Sequence, residues 1–329
     1  MTLKPLFVSL FILPLFAMTA CAKEPVTSAD SNGVPQTRSN LTNAEQQQLA
    51  DFLAQQKANM RFIEGGSYEM GDFGPKLDWT EGLPISSGGD NKALHKVTLD
   101  SFSMNAYKAT YGDFDIYSMA TGQPKEGMQE SVIELHQPNA AAGIDWQSAQ
   151  HYCQWLGQQL DVPMSLPTEA QWEYVARNRG QYVLFPTDTG EIDDGRNVWT
   201  SEQKRDMNSK YNTSVTVPII GLYPPNPLGL YDMTNQNYEW MIDWYDAKYY
   251  GNSPGHNPQG PSTGKEKVLR SVDANEGSAR NIRVMGAVSV KRWYKVPNPP
   301  LILNDAGLNQ NRETSARCVA NSSQPLGAV

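Results

Sequence analysis

The chain has 329 residues, of which 39% are hydrophobic and 10% aromatic, with 26 Gly, 22 Pro, 8 Trp and 15 Tyr. This is enough apolar side chain for a sizeable core, and the mixture predicts a loop-rich body built on aromatic packing rather than on long helices. A net charge of −8 with no compensating basic cluster argues against a nucleic-acid partner, and three cysteines without a CxxC pair argue against a structural zinc site.

In chain order, Lys4 precedes an apolar run from Leu6 to Met18, a charged start and a stretch too short to span a bilayer comfortably. Residues 1–20 therefore read as a signal peptide. Met18-Thr19-Ala20-Cys21 resembles a lipobox, which implies cleavage before Cys21 and a diacylglyceryl group on its sulfur. Ala22, rather than Asp, follows the cysteine, and this implies an outer-membrane, periplasm-facing lipoprotein. An ordinary secretory signal cut nearby is the alternative. Residues 21–41, rich in Ser, Thr, Asn, Pro and Gly, read as a flexible tether. Thr42 and Glu45 match a capping box, and Leu49, Phe52 and Leu53 follow at helical spacing, so 42–59 is read as an amphipathic helix packed on the domain or on a partner.

Short strand-like runs begin at Arg61, and 60–322 is read as the main domain, followed by a tail over 323–329. A second helix is predicted after Asp145, with Trp146, Ala149, Cys153, Leu156 and Leu160 on one face. A third is predicted from Thr168, with Gln171 as its capping partner. No helix is predicted after residue 180, where turns such as Pro224-Pro225-Asn226-Pro227 recur. Cys153 and Cys318 are open to two readings: one disulfide in an oxidising compartment, or two separate buried thiols.

Several phrases resemble the sulfatase-modifying-factor family, which includes the formylglycine-generating enzymes. They are Phe62-Ile63-Glu64-Gly65-Gly66-Ser67-Tyr68-Glu69-Met70-Gly71, Ala149 through Gly157, Leu166-Pro167-Thr168-Glu169-Ala170-Gln171-Trp172-Glu173-Tyr174, Gly229-Leu230-Tyr231-Asp232-Met233 through Trp244-Tyr245, and Ala316-Arg317-Cys318-Val319. Five such blocks in the family's order cover roughly residues 60–321. The resemblance implies an α+β class: a decorated C-type-lectin-like fold with little regular secondary structure.

It also implies chemistry that the sequence lacks. Formylglycine generators carry two redox-active cysteines near the end of the domain, a soft thiolate pair suited to Cu(I) and to exchange with a substrate thiol. The corresponding stretch here, Val268-Leu269-Arg270-Ser271-Val272-Asp273 through Val284, has no cysteine, so neither copper nor formylglycine-generating activity is expected. The four histidines, His95, His136, His151 and His256, are far apart and show no metal-ligand spacing. The family does carry structural calcium in its loops. The resemblance implies one calcium loop with side-chain oxygens from Asp232 and Glu239 and carbonyl oxygens from Asn235 and Asn237, although Asn235 stands where the family prefers Gly. A second would begin at Asn197-Val198, without an evident downstream Asp; Tyr211 and Asn212 stand nearby.

Glu169 and Glu173, four apart and followed by Arg177, read as a structural ion pair rather than an acid–base couple. Lys291-Arg292 beside Trp293 and Tyr294 reads as a solvated strand end, with an anion-binding patch as the lesser reading. The function expected from these observations is a non-catalytic, periplasm-facing lipoprotein. Its domain would bind a protein partner, such as an envelope protein or a periplasm-acting toxin that it neutralises as an immunity protein. Two alternatives are a cysteine-independent oxidase of the siderophore-maturation type, using Asp273, Glu276 or a metal, and an envelope scaffold lipoprotein.

Overall fold

The computed structural model describes residues 28–129, 133–234, 237–271, 288–297 and 311–326. It begins with a strap laid across the helices. The Asp30 carboxylate accepts from the amides of Asn32 (2.8 Å) and Val34 (2.9 Å), a local turn that sends Val34 into the core. Thr37 accepts from the Trp155 indole at 3.1 Å, and Arg38 donates to the Met119 carbonyl at 2.6 Å. The flexible tether expected over 21–41 is corrected from Ser28 onward: Asp30, Gln36, Thr37 and Arg38 bond to side chains and a carbonyl of the helical body.

Helix α1 (Asn43–Ala58) starts at Thr42 with the reciprocal Thr42–Glu45 bonds of a capping box. Its Leu49 and Phe52 enter the same core as α2 (Tyr111–Thr121) and α3 (Trp146–Leu160), so it is part of the domain's packed body. Phe114 stacks on Tyr152 with centroids 4.7 Å apart, and Tyr117 meets Trp155 edge-on at 5.0 Å. Aromatic pairs in these geometries add to the area they bury, in keeping with a body packed on rings. Helix α2 was not anticipated, because Gly112 and Asp113 dilute its first turn. Its start is nonetheless a Thr110–Asp113 capping box and its end is Gly122 at φ 78°.

The strands are short. One sheet orders β1 (Met60–Ile63), β4 (Phe102–Asn105), β10 (Val319–Ala320) and β5 (Met164–Ser165), all antiparallel. A hairpin-like pair joins β2 (Gly66–Met70) to β3 (His95–Leu99). A second sheet orders β8 (Trp293–Lys295), β7 (Lys267–Arg270), β6 (Tyr238–Trp244) and β9 (Thr314–Ser315), with only the β6–β9 pair parallel. Helix α4 (Glu169–Ala176), capped by Thr168 and Gln171, is buried at every residue and packs among β2, β3, β6 and β7. Gly157 allows α3 to lie close to the following turn: an added Cβ would stand 2.6 Å from the Val162 carbonyl oxygen.

Beyond residue 180 the expectation of no helix is corrected by α5 (Ser201–Tyr211). It has a Thr200–Gln203 capping box and no buried residue. The apolar stripe by which the other helices were recognised is therefore missing, while the capping signature is plain in the sequence.

Candidate functional site

Cys153 on α3 and Cys318 beside β10 are joined in a disulfide, Sγ–Sγ 2.02 Å, and both residues are buried in the aromatic core. Of the two readings open from sequence, the disulfide is the one found. Cys21, Asp273 and Glu276 lie outside the described residues.

The first expected calcium loop is built differently from a calcium cage. Glu239 on β6 is fully buried, and Arg317 donates to both of its carboxylate oxygens, at 2.7 and 2.8 Å. Trp172 Nε1 donates to Oε2 at 3.1 Å, and Lys108 Nζ stands 3.2 Å from Oε1. The same ammonium donates to the Asn237 carbonyl at 2.5 Å. Asp232, held at φ 59°, accepts from the Gly221 amide at 2.7 Å through one oxygen, while its other oxygen is buried without a hydrogen-bond partner. Asn235 is outside the described residues. Burial alone would raise the Glu239 pKa, but the charges of Arg317 and Lys108 outweigh it and hold the value at about 2. Burial lowers Lys108 to about 8 against the pull of Glu239, and raises Asp232 to about 6. A calcium ion needs several free oxygens. Here both Glu239 oxygens and the Asn237 carbonyl are already committed to cationic or N–H donors, so Glu239 and Asn237 do not offer their oxygens to that ion.

The second expected loop is likewise committed. Asn197 Oδ1 accepts from the Asp193 amide at 2.8 Å, and its Nδ2 reaches Asp188 at 3.1 Å and the Glu191 carbonyl at 3.0 Å. The Val198 carbonyl accepts from the Gly195 amide at 2.8 Å. Among the described residues no group of three or more His, Cys, Asp or Glu is placed to hold a metal.

A buried ion network surrounds α4. Arg177 pairs with Glu173 at 2.8 Å, the structural ion pair expected from the spacing. Arg270 joins Glu169 (3.0 Å) to Glu173 (3.1 Å), and Arg292 grips Glu169 through two bonds of 2.8 and 3.0 Å. Arg292 is therefore not on a solvated strand end, as read from its neighbours; it is a buried partner of a carboxylate 123 positions away. Behind the start of α4, Asp243 accepts from the Glu169 amide at 2.8 Å. Its burial, reinforced by the Glu169 charge, raises its pKa to about 7. Among the described residues the acids of this cluster face arginines and a backbone amide, and the arrangement holds α4 in place.

What the sequence did not reveal is a presented loop. Asp72, almost wholly buried, accepts from the amides of Gly74 (2.9 Å), Ile85 (3.0 Å) and Ser86 (3.0 Å) and from Lys92 Nζ (2.6 Å). The Asp72 amide closes the base on the Asn91 carbonyl at 2.8 Å. Phe73 is clamped between the Arg177 guanidinium (4.5 Å to the ring centroid) and Tyr182 (5.1 Å). The Thr80 hydroxyl lies 2.7 Å from the Gly74 carbonyl oxygen. On this frame Trp79 is 60% exposed and Leu83 64% exposed. The only sequence signal was the Asp72 to Gly74 spacing of a local turn, and the distant bonds that make the loop rigid have no counterpart in the linear text.

A separate cleft of about 620 Å³ opens between α1 and α2, with Phe52, Ile116 and Tyr152 among its apolar walls. At its edge Asn105 donates to Gln56 (3.2 Å) and Gln56 to Asp113 (3.1 Å), and burial raises Asp113 to about 6.

The comparisons with known proteins agree with this architecture. The chain is 29% identical over 230 residues to serine/threonine-protein kinase pkn1 of Chlamydia pneumoniae, a stretch that is 64% of this chain and 32% of that protein. It is 27% identical over 254 residues to the formylglycine-generating enzyme of Mus musculus, covering 63% of this chain and 64% of the enzyme. The chain thus spans about a third of the kinase and somewhat under two thirds of the mouse enzyme. In fold it is similar to PvdO from Pseudomonas aeruginosa, with a TM-score of 0.55, 22% identity and coverage of 79% of this chain and 93% of that one. The profile of the sulfatase-modifying factor enzyme 1-like domain matches residues 45–287, nearly three quarters of the sequence. This chain belongs to that family, the sulfatase-modifying factor enzyme 1-like proteins, and carries its α+β fold.

Proposed function

We propose that this chain is a non-catalytic protein-binding module on a formylglycine-generating-enzyme-like scaffold, carried by a lipid-anchored, periplasm-facing lipoprotein of the outer membrane. The observation that carries the reading is the fate of the thiols. Beyond Cys21 the sequence has two cysteines, and both are consumed in one buried disulfide. No thiolate remains in the domain to hold Cu(I) or to exchange with a substrate cysteine. The binding half of the reading is supported by Trp79 and Leu83, large apolar side chains held out on a rigid loop. Exposed aromatic anchors on a preorganised frame are the features that carry binding energy in protein interfaces. The partner class is a protein of the cell envelope or a toxin that acts in the periplasm, in which case the chain is an immunity protein.

The test uses the full chain and its Trp79→Ala/Leu83→Ser variant. Cross-linking in intact cells identifies the partner, and titration with the purified partner follows. We expect the variant to lose at least about tenfold in affinity, the size of one interface anchor, with an unchanged melting temperature. A sulfatase-type cysteine peptide incubated with the wild type and copper should remain unconverted by mass. Aldehyde formation in that peptide, or equal partner affinity in the variant, would overturn the reading.

A further inference from the structure

The Asn237 carbonyl and both Glu239 oxygens are taken by cationic donors, while one Asp232 oxygen has no hydrogen-bond partner. Lys108 lies just before α2 and is almost wholly buried, an expensive place for an ammonium unless its charge is compensated. Its Nζ reaches one backbone carbonyl and one carboxylate oxygen of the loop, Asn237 at 2.5 Å and Glu239 at 3.2 Å. These are the two kinds of oxygen with which a protein loop clasps a hard cation. Arg317 donates to both oxygens of the Glu239 carboxylate and also to the carbonyls of Asn105, Ala106 and Tyr231 at 3.2, 3.1 and 2.8 Å. The cluster thus comprises two buried cations, Lys108 and Arg317, and two buried carboxylates, Asp232 and Glu239. Formal charge closes at zero. A divalent ion added among the same four groups would leave an uncompensated double positive charge among buried side chains, a costly arrangement.

We propose that the ammonium of Lys108 is a built-in cation: it bridges the Asn237 carbonyl and the Glu239 carboxylate and holds β6 to the start of α2 without a metal ion. The inference is independent of the binding role, since it concerns how the scaffold is held and not what its loops touch. It makes Lys108 the residue that separates a metal-free loop from a metal-requiring one. Shortening its side chain leaves carbonyl and carboxylate oxygens around a space of cation size, with one positive charge fewer.

The test is thermal unfolding of the full chain in calcium, in magnesium and in a calcium chelator. Wild type is expected to melt at the same temperature in all three. Lys108→Ala is expected to melt about 10 °C lower in chelator, as for a broken buried ion pair, and to recover several degrees in millimolar calcium but not in magnesium, whose small octahedral shell does not suit such a loop. Lys108→Met, which fills the space without charge, should be destabilised and indifferent to calcium. If Lys108→Ala is recovered only unfolded, its refolding from denaturant should proceed with calcium and fail in chelator. A wild-type melting temperature that rises with calcium overturns the proposal. So does a Lys108→Ala chain, folded or refolding, that is indifferent to calcium, because the ammonium would then be a packing element and not a stand-in for a metal.

Discussion

Asp243 accepts the Glu169 amide at the first turn of α4 while it shares the interior with the Glu169 carboxylate. Its proton is held more tightly in the folded protein, to about pH 7, than in the unfolded chain, where an aspartate ionises near 3.8. A raised carboxylate pKa stabilises the fold below the unfolded value, and that contribution is lost as pH climbs through the window between the two. Glu239 has the opposite sign: held at about 2, it contributes above the unfolded value of 4.5 and loses its contribution on acidification. Asp243→Asn keeps an oxygen for the Glu169 amide but cannot ionise. Relative to wild type it should therefore gain on the order of 4 kcal/mol between pH 4 and pH 8. Denaturant unfolding across that range checks it, and a constant offset between the two proteins would contradict the assignment. The neighbouring charges divide sharply by legibility. Glu173 and Arg177 are four apart on one helix and were readable as a pair. Arg270 and Arg292 reach Glu169 across 101 and 123 positions, and no local pattern carries a contact of that span.

Four helices open on the same device, a Thr whose side chain and amide exchange bonds with an acidic or amide residue three positions on: Thr42–Glu45, Thr110–Asp113, Thr168–Gln171 and Thr200–Gln203. Thr42 and Thr168 were read from the sequence with the apolar stripes that follow them; α2, whose stripe of Tyr111, Phe114 and Tyr117 is interrupted by Gly112 and Asp113, and α5, which has no such stripe, were not. The signature of a helix start is local; the reason to look for it came from burial, which is not. Helix α5 is the extreme case, since it buries no residue fully and meets the core only through the half-buried Met207 and Tyr211. Thr200→Ala should cost about 1 kcal/mol, and the loss should stay local, raising amide exchange over 201–211 by roughly fivefold while the global melting temperature hardly moves. Exchange mass spectrometry decides this. Protection lost across the whole chain would mean that α5 belongs to the cooperative unit. The loop based on Asp72 shows the complementary limit: its composition looks like any polar connection, and its rigidity comes from one buried carboxylate that gathers three amides and a lysine.

Across the whole molecule, the order of five phrases was enough to fix family and fold, and the abundance of rings foretold a core in which Trp155, Trp172 and Trp240 are fully buried. The cysteine pairing was not foretold, because two buried thiols and one disulfide leave the same trace in a sequence. The bridge closes a span of 165 residues between α3 and β10. By loop-closure entropy a span of that size contributes up to about 5 kcal/mol, and measured bridges typically give 2–4. Reducing it in mild denaturant, or replacing both cysteines by alanine, should lower the melting temperature by about 4–16 °C. A fold indifferent to the loss would mean that the reduced chain already keeps its ends together. The packed strap has a consequence of its own. The strap is tied back as far as Ser28, whose carbonyl accepts from the Gln36 amide, seven peptide steps beyond Cys21. If Cys21 carries the acyl chains, those steps stretch to at most about 25 Å. The body would then ride on a short leash against the headgroups, able to meet only what comes to the bilayer surface and unable to forage across the width of the compartment.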